Sequence, residues 1–189
     1  MAETSLKAKS PLNGYRKTLG KTKLEEVSGL SIVSLAIPQR GKTKLSDALK
    51  TAFGVAVPAP GKTLTMTSES GLLIGLQSDL VFALFMKDMP DPVGFIGGKI
   101  GDTAYLTRQS DGWCALRLSG PLTFAALERL SQVDLSPQSF PVGAVARTAM
   151  EHLNVIAIRE DNETFLLLSA SSSAPSFLHA VETSVRNVL

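Results

Sequence analysis

The sequence predicts an α+β protein with mostly antiparallel sheets, built as two similar strand–helix–strands halves. Three observations carry this. A β-rich run, an amphipathic helix and a set of short strands follow one another twice. No alternating strand–helix–strand–helix pattern of a parallel sheet appears. With 189 residues, 44% of them hydrophobic and 19% charged, the chain suffices for one domain or for two small lobes sharing a core.

The elements follow in order. Residues 1–28 are polar and basic and predict an extended arm, disordered in the free chain. "SGLSIVSLAIP" is β-rich and closed by Pro38, so it reads as a strand of about seven residues. In "TKLSDALKTAFG" Leu45, Leu49 and Phe53 recur at helical spacing, with Ser46 or Thr43 as the expected N-cap and Gly54 as the stop. Short strands are expected at Leu64–Ser68, Leu72–Leu76 and Leu80–Phe85. "KDMPDPVGFIGGKIGD" holds two prolines and four glycines in sixteen residues, so it reads as a loop-like link between the halves. The expected division is therefore an arm over 1–28, a first half over 29–92 and a second over 93–189.

In the second half, Tyr105–Arg108 and Trp113–Leu118 are expected to pair through the turn "QSDG". Alternation puts Cys114, Leu116 and Leu118 on one face of the second strand, and Trp113, Ala115 and Arg117 on the other. Pro121 suits the first turn of a helix running to about Ser131. "AVARTAME", "LNVIAIRE" and "TFLLLSA" read as three further strands. The serine-rich "SASSSAPS" leads, as a capping stretch, into a closing amphipathic helix of about fifteen residues.

The net charge of +2 conceals an asymmetry. Residues 1–44 carry nine Lys/Arg against three acids, and the remainder ten against fourteen. A basic arm on a mildly acidic body points to docking on an acidic protein surface, with Arg16, Lys17, Lys21 and Lys23 as its contacts. A basic-armed nucleic-acid-binding module is the rival reading, but no nucleic acid is expected, because only Tyr15 in the arm offers a ring for base stacking. No apolar run reaches a membrane-spanning length, and the start lacks the apolar stretch of a secretory signal. With one cysteine, no internal disulfide forms, which fits a reducing cytoplasm.

The motifs that tempt a catalytic reading fail on spacing. Gly-Lys-Thr occurs at Gly20–Thr22, Gly41–Thr43 and Gly61–Thr63, but Tyr15, Ala36 and Ala56 stand where a phosphate loop needs its first glycine. "GFIGGK" lacks the flanking strand and helix of a dinucleotide fingerprint. Cys114, His152 and His179 lack the paired spacing of a zinc site. Cys114, mid-strand among leucines, reads as core, and the two histidines as solvated. No catalytic, cofactor or metal residue is expected.

The stretch "DGWCALRLSGPLTFAALERLSQVDLSPQSFPVGAVARTAMEHLNVIAIRE", followed by "TFLLLSASSSAPSFLHAVETS", resembles the gamma subunit of heterotetrameric bacterial sarcosine oxidase. The resemblance lies in a Trp–Leu-x-Leu-x-Gly strand entering a helix, an Asp-Leu…Phe-Pro-x-Gly loop, an Ala-Arg-Thr strand and a Ser-rich entry to the last helix. It covers about 80 residues closely, and Leu30 to Phe85 more loosely. It implies a fold like the folate-binding lobes of the aminomethyltransferases. It also implies a cytoplasmic complex with alpha, beta and delta subunits that oxidises sarcosine to glycine and passes the one-carbon unit to tetrahydrofolate. NAD, FAD, FMN, folate and zinc would sit in those other subunits, and this subunit would be structural. Two alternatives stay open: a free-standing folate-binding protein, and a subunit of a sister complex acting on another N-methyl amino acid. The Lys-Gly-Cys-Tyr-x-Gly-Gln-Glu signature of the iron–sulfur assembly relatives is missing. So is the Leu-Gly-Pro of the aminomethyltransferases, whose place is taken by "GLLIGLQSDLVFAL".

Overall fold

A computed structural model describes residues 9–189. The strands are β1 (Arg16–Leu19), β2 (Thr22–Glu26), β3 (Ser31–Ala36), β4 (Thr63–Thr65), β5 (Gly71–Gly75), β6 (Leu80–Phe85), β7 (Tyr105–Arg108), β8 (Trp113–Ser119), β9 (Val145–Met150), β10 (Leu153–Arg159) and β11 (Thr164–Ala170). The helices are α1 (Lys42–Phe53), α2 (Pro92–Ile100), α3 (Thr123–Glu128) and α4 (Ala174–Arg186). Two sheets form, ordered β1-β2-β8-β11-β10-β9 and β4-β5-β6-β3-β7, with antiparallel pairing between all neighbours.

Strand alternation explains how the layers stack. In β8, Leu116 and Leu118 join a core with α3 and α4 through Ala126, Leu127, Phe177 and Val181. Ala115, on the opposite face, joins Ile32, Ile74, Phe82 and Leu84 of the other sheet. The second face of that other sheet, through Val33, Leu35 and Phe85, packs on Leu45, Leu49 and Phe53 of α1 and Ile96 of α2. The order is helices, sheet, sheet, helices. Strands buried on both faces read as near-continuous apolar runs: residues 165–168 of β11 are unbroken, and residues 32–36 of β3 are interrupted only by Ser34.

Several expectations are corrected. The arm is not free over its described length: β1 and β2 form a hairpin hydrogen-bonded along β8, with Leu24 fully buried. Residues 1–8 lie outside the described chain. The hairpin therefore belongs to the six-stranded sheet of the second half, while β7 and α2 belong to the five-stranded sheet of the first. The boundaries at 28/29 and 92/93 thus follow neither sheet. The link "KDMPDPVGFIGGKIGD" contains α2. Asp91 caps it by accepting the Gly94 N–H at 2.8 Å, Pro92 occupies its first turn, and Ile96 and Ile100 sit on its buried stripe. β7 and β8 do not pair. β7 pairs with β3, and a short 3-10 turn at Ser110–Gly112 carries the chain into the other sheet.

The helix ends also differ from expectation. α1 begins at Lys42 behind Gly41, with no side-chain cap from Thr43 or Ser46. It ends as expected at Gly54, where φ is +74° and a Cβ would collide with the Thr67 hydroxyl. α3 spans six residues rather than eleven. Its approach is set by Gly120, where a Cβ would press on the Lys21 carbonyl at 2.6 Å. The Leu122 N–H then donates to the Thr22 hydroxyl at 3.2 Å. α4 is one turn of 3-10 helix later than its serine-rich entry, and Ser173 makes no side-chain cap.

Candidate functional site

The four basic residues expected to dock a partner lie on the hairpin, and strand alternation separates them. Arg16 and Lys23 point to one face, Lys17 to the other, and Lys21 sits in the turn beside Gly20. Two of them are engaged within the chain. Arg16 pairs with Glu25 at 3.0 Å, and Lys17 reaches Glu182 of α4 at 2.6 Å. Lys21 and Lys23 are exposed.

Glu182 is the anchor. Besides Lys17 it accepts the Tyr15 hydroxyl at 2.6 Å and the Arg186 guanidinium at 2.6 Å. These hydrogen bonds, that of Lys17 foremost, lower its carboxyl from an ordinary 4.5 to about 2. Burial, and then the Glu182 carboxylate, push the Tyr15 hydroxyl up to about 12. Further along the same face of the hairpin, Glu26 accepts the Ser10 hydroxyl and the N–H groups of Leu12 and Gly14, at 2.9, 3.0 and 2.6 Å. Both ties lie on the face that carries Lys17 and Leu24, toward the core beneath α4.

The Glu182 cluster gives a pH prediction. A carboxyl whose pKa falls on folding adds stability that is complete above 4.5 and is lost as pH falls toward 2. Lys17 and Arg186 are 40% and 52% exposed, so screening reduces the gain. Glu182→Gln is expected to cost about 1–2 kcal/mol at pH 7, and the difference from the parent chain to shrink between pH 4.5 and pH 3. Urea unfolding at pH 7 and pH 3 checks this. A difference that stays constant across that range contradicts it.

Cys114 is buried, and desolvation, with a smaller contribution from Glu26, raises its thiol to about 12. A thiol so protonated is not a nucleophile at neutral pH. His152 lies in the β9–β10 turn with φ +65°. His179 is exposed on α4 and lines a cleft of about 410 Å³ with Arg129, Glu151, Ser176 and Asn187. Ser176, His179 and Glu151 make no hydrogen bond to one another there. Among the described residues no group of three His, Cys, Asp or Glu side chains is placed to hold a metal. No helix among the described residues is long and apolar enough to cross a membrane. The Gly-Lys-Thr triplets fall in the β1–β2 turn, at the start of α1 and before β4.

A second cleft, of about 350 Å³, opens where the sheets meet. Leu72, Met86, Ile158 and the exposed Val142 supply apolar surface, and Thr65 and Glu160 its polar rim. Glu160 is held by a bidentate pair with Arg117 at 2.6 and 2.8 Å. Arg159, 3% exposed, also borders it, with its guanidinium turned onto backbone carbonyls. Sequence reasoning missed this arginine because a charged residue closing an apolar strand reads as exposed.

Two face-packed antiparallel sheets flanked by helices define the class of fold, that of the aminomethyltransferases. The structure superposes on a chain of the heterotetrameric sarcosine oxidase from Corynebacterium sp. U-96, solved with pyrrole 2-carboxylate, with a TM-score of 0.79 and 20% identity, covering 95% of each chain. It also superposes on the glycine cleavage system aminomethyltransferase T from Bartonella henselae, with a TM-score of 0.65 and 11% identity. That match covers 92% of this chain and 56% of the aminomethyltransferase. No protein-family profile matches the sequence, and no curated protein matches it.

Proposed function

We propose that this chain is a non-catalytic structural subunit, of the gamma type, in a cytoplasmic heterotetrameric flavoenzyme that oxidises sarcosine to glycine. The one-carbon unit would pass to tetrahydrofolate. The observation carrying the reading is the reciprocal match: 95% of this chain superposes on 95% of a sarcosine oxidase chain, but on only 56% of an aminomethyltransferase. In this reading FAD, FMN, NAD, tetrahydrofolate and zinc belong to the alpha, beta and delta subunits. That agrees with the Gly-Lys-Thr triplets lying in turns and at a helix start, and with the thiol of Cys114 being buried.

The test is the size and composition of the native particle. The full chain, tagged and expressed in its own cell, is expected to elute far above the mass of one chain, with a flavin-containing partner in constant ratio. Sarcosine added to that particle should reduce its flavin. Elution as a lone chain that binds tetrahydrofolate would instead establish the folate-binding alternative.

A further inference from the structure

Glu26 closes β2 with its side chain almost wholly buried, and among the described residues no lysine or arginine pairs with it. A carboxylate taken out of water without a cation is costly unless hydrogen bonds satisfy its oxygens. Every donor to Glu26 comes from residues 10–15. Oε2 accepts the Ser10 hydroxyl at 2.9 Å and the Gly14 N–H at 2.6 Å, and Oε1 accepts the Leu12 N–H at 3.0 Å. The Gly14 N–H also meets the Ser10 hydroxyl oxygen at 3.0 Å. Two consecutive turns shape this loop, with the Asn13 N–H donating to the Ser10 carbonyl and the Tyr15 N–H to the Leu12 carbonyl, each at 3.2 Å. Leu12 and Tyr15 pack the loop against the core.

Asn13 and Gly14 are the central pair of the second turn, with φ of +54° and +72°. Positive φ at both positions is the type I′ pattern, which selects Asn-Gly. This is the sole Asn-Gly pair in the 189 residues. The same pair is the one best disposed to cyclise on itself, because glycine puts no side chain between its nitrogen and the asparagine amide. In that reaction the Gly14 nitrogen loses its proton to solvent base and bonds to Asn13 Cγ. The Cγ–Nδ2 bond breaks and ammonia leaves. Water then opens the cyclic imide. Opening at Cγ gives aspartate. Opening at the Asn13 main-chain carbonyl gives isoaspartate, in which the chain runs through Cγ. The net change is one amide and one water to a carboxylate and ammonium, with no electron transferred. Glu26 opposes the first step in two ways. Its negative charge disfavours an anion on the Gly14 nitrogen. Its charge-assisted bond to that N–H, at 2.6 Å, holds the nitrogen where it is, against the swing toward Asn13 Cγ.

We propose that Asn13 is a site of spontaneous deamidation gated by Glu26, and that its conversion releases the loop ahead of β1 for good. While residues 10–15 stay docked on Glu26, Asn13 keeps its amide. When they lift, it converts. Isoaspartate then prevents redocking, because it inserts one main-chain carbon between the Leu12 and Gly14 N–H groups, which converge on one carboxylate in the intact loop. The release is local. β2 stays paired along β8, and Lys17 stays on Glu182. It is also one-way, since the ammonia is lost. The type I′ turn demands the reactive pair, and the buried, cation-free Glu26 is what keeps that pair intact. The inference is independent of the subunit reading, because every contact it uses lies within this chain.

The test ages the full-length chain in warm, mildly alkaline buffer and follows Asn13 by peptide mass and by separation of the isoaspartyl peptide. Four samples are compared: the native parent, the parent unfolded in urea, Glu26→Gln and Ser10→Ala. The unfolded parent is expected to convert Asn13 about tenfold or more faster than the native parent. Glu26→Gln, checked as folded by circular dichroism, should close most of that gap, and Ser10→Ala should fall between. Ser10 lies outside every strand and is half-buried, so its variant keeps the fold and decides alone if Glu26→Gln melts early. Asn154, Asn162 and Asn187, which precede Val155, Glu163 and Val188, should stay intact in every native sample. Aged native chains carrying isoaspartate are then separated, and their Leu12 and Gly14 amides should exchange with deuterium about tenfold or more faster than in the parent. A native parent that converts as fast as the unfolded one overturns the gate, as do folded variants no faster than the parent. An unfolded parent that keeps its amide overturns the site itself. Isoaspartyl chains that still protect Leu12 and Gly14 overturn the release.

Discussion

Replacing Arg159 with methionine is expected to lower the unfolding free energy by about 3–5 kcal/mol. The guanidinium is buried, has no carboxylate partner among the described residues, and donates instead to the backbone. Nε donates to the Asp161 carbonyl at 3.1 Å, Nη1 to Leu135 at 3.3 Å and Phe140 at 2.9 Å, and Nη2 to Asn162 at 2.9 Å. Its plane lies 5.5 Å from the centre of the Phe165 ring, which stacks on Phe140. One side chain thus holds the Ser131–Val142 connection and the β10–β11 turn against the sheet. Methionine fills most of the volume but leaves four carbonyls unpaired, at roughly 1–3 kcal/mol for each that stays dry. Water reaching the two outer ones in the Asp161–Asn162 turn limits the total. A loss of this size lowers the melting temperature by roughly 6–20 °C for a domain of this length. Arg159→Lys, which offers one donor centre in place of the planar fork, should fall between. Equilibrium urea unfolding of the three proteins decides it. A loss below 1 kcal/mol for the methionine variant would mean that the carbonyls find other partners.

Arg159 also marks where the sequence stops informing. The fold class, the two helices α1 and α4, and strands β3, β6, β8, β10 and β11 follow from period and composition, because Leu45, Leu49 and Phe53 or the runs through β3 and β11 carry a strong local pattern. Helix α2 was hidden because Gly94, Gly97 and Gly98 weaken helix propensity. Its cap at Asp91-Pro92 and the Ile96–Ile100 spacing were the available signal. The partner of β7 was hidden for a different reason. Trp113 follows Arg108 closely enough for a hairpin, and only the two-sided burial of β3 calls for a neighbour on each edge. The clefts were out of reach altogether, since each gathers residues from distant segments, such as Arg129, Glu151 and His179. Cys114, by contrast, was readable as core from its leucine-bearing face alone.

The amino-terminal hairpin reverses an expectation with measurable consequences. Net charge and the lack of long apolar runs in residues 1–28 suggest a tail whose deletion spares the fold. The structure predicts the opposite. Leu24 is fully buried and Leu19 nearly so, both in the core beneath α3 and α4. Losing each such leucine costs about 2–5 kcal/mol, and the whole stability of a domain is about 5–15 kcal/mol. Deletion also uncovers the edge of β8, leaving a row of unpaired backbone groups and opening one side of the core that Leu116 and Leu118 line. It removes Lys17 and Tyr15 from Glu182, and Thr22 from the Leu122 N–H that begins α3. Expressed as residues 29–189, the chain is expected to be insoluble, or soluble without a cooperative thermal transition. Leu24→Ala in the full chain gives the graded version: it should fold and lose about 2–5 kcal/mol in urea unfolding. Lys21→Ala and Lys23→Ala, on exposed positions of the same hairpin, should leave stability within about 0.5 kcal/mol. Circular dichroism and thermal melts distinguish the cases. A truncated chain that melts cooperatively at the parent temperature would return the hairpin to the status of a detachable arm, with docking as its only task.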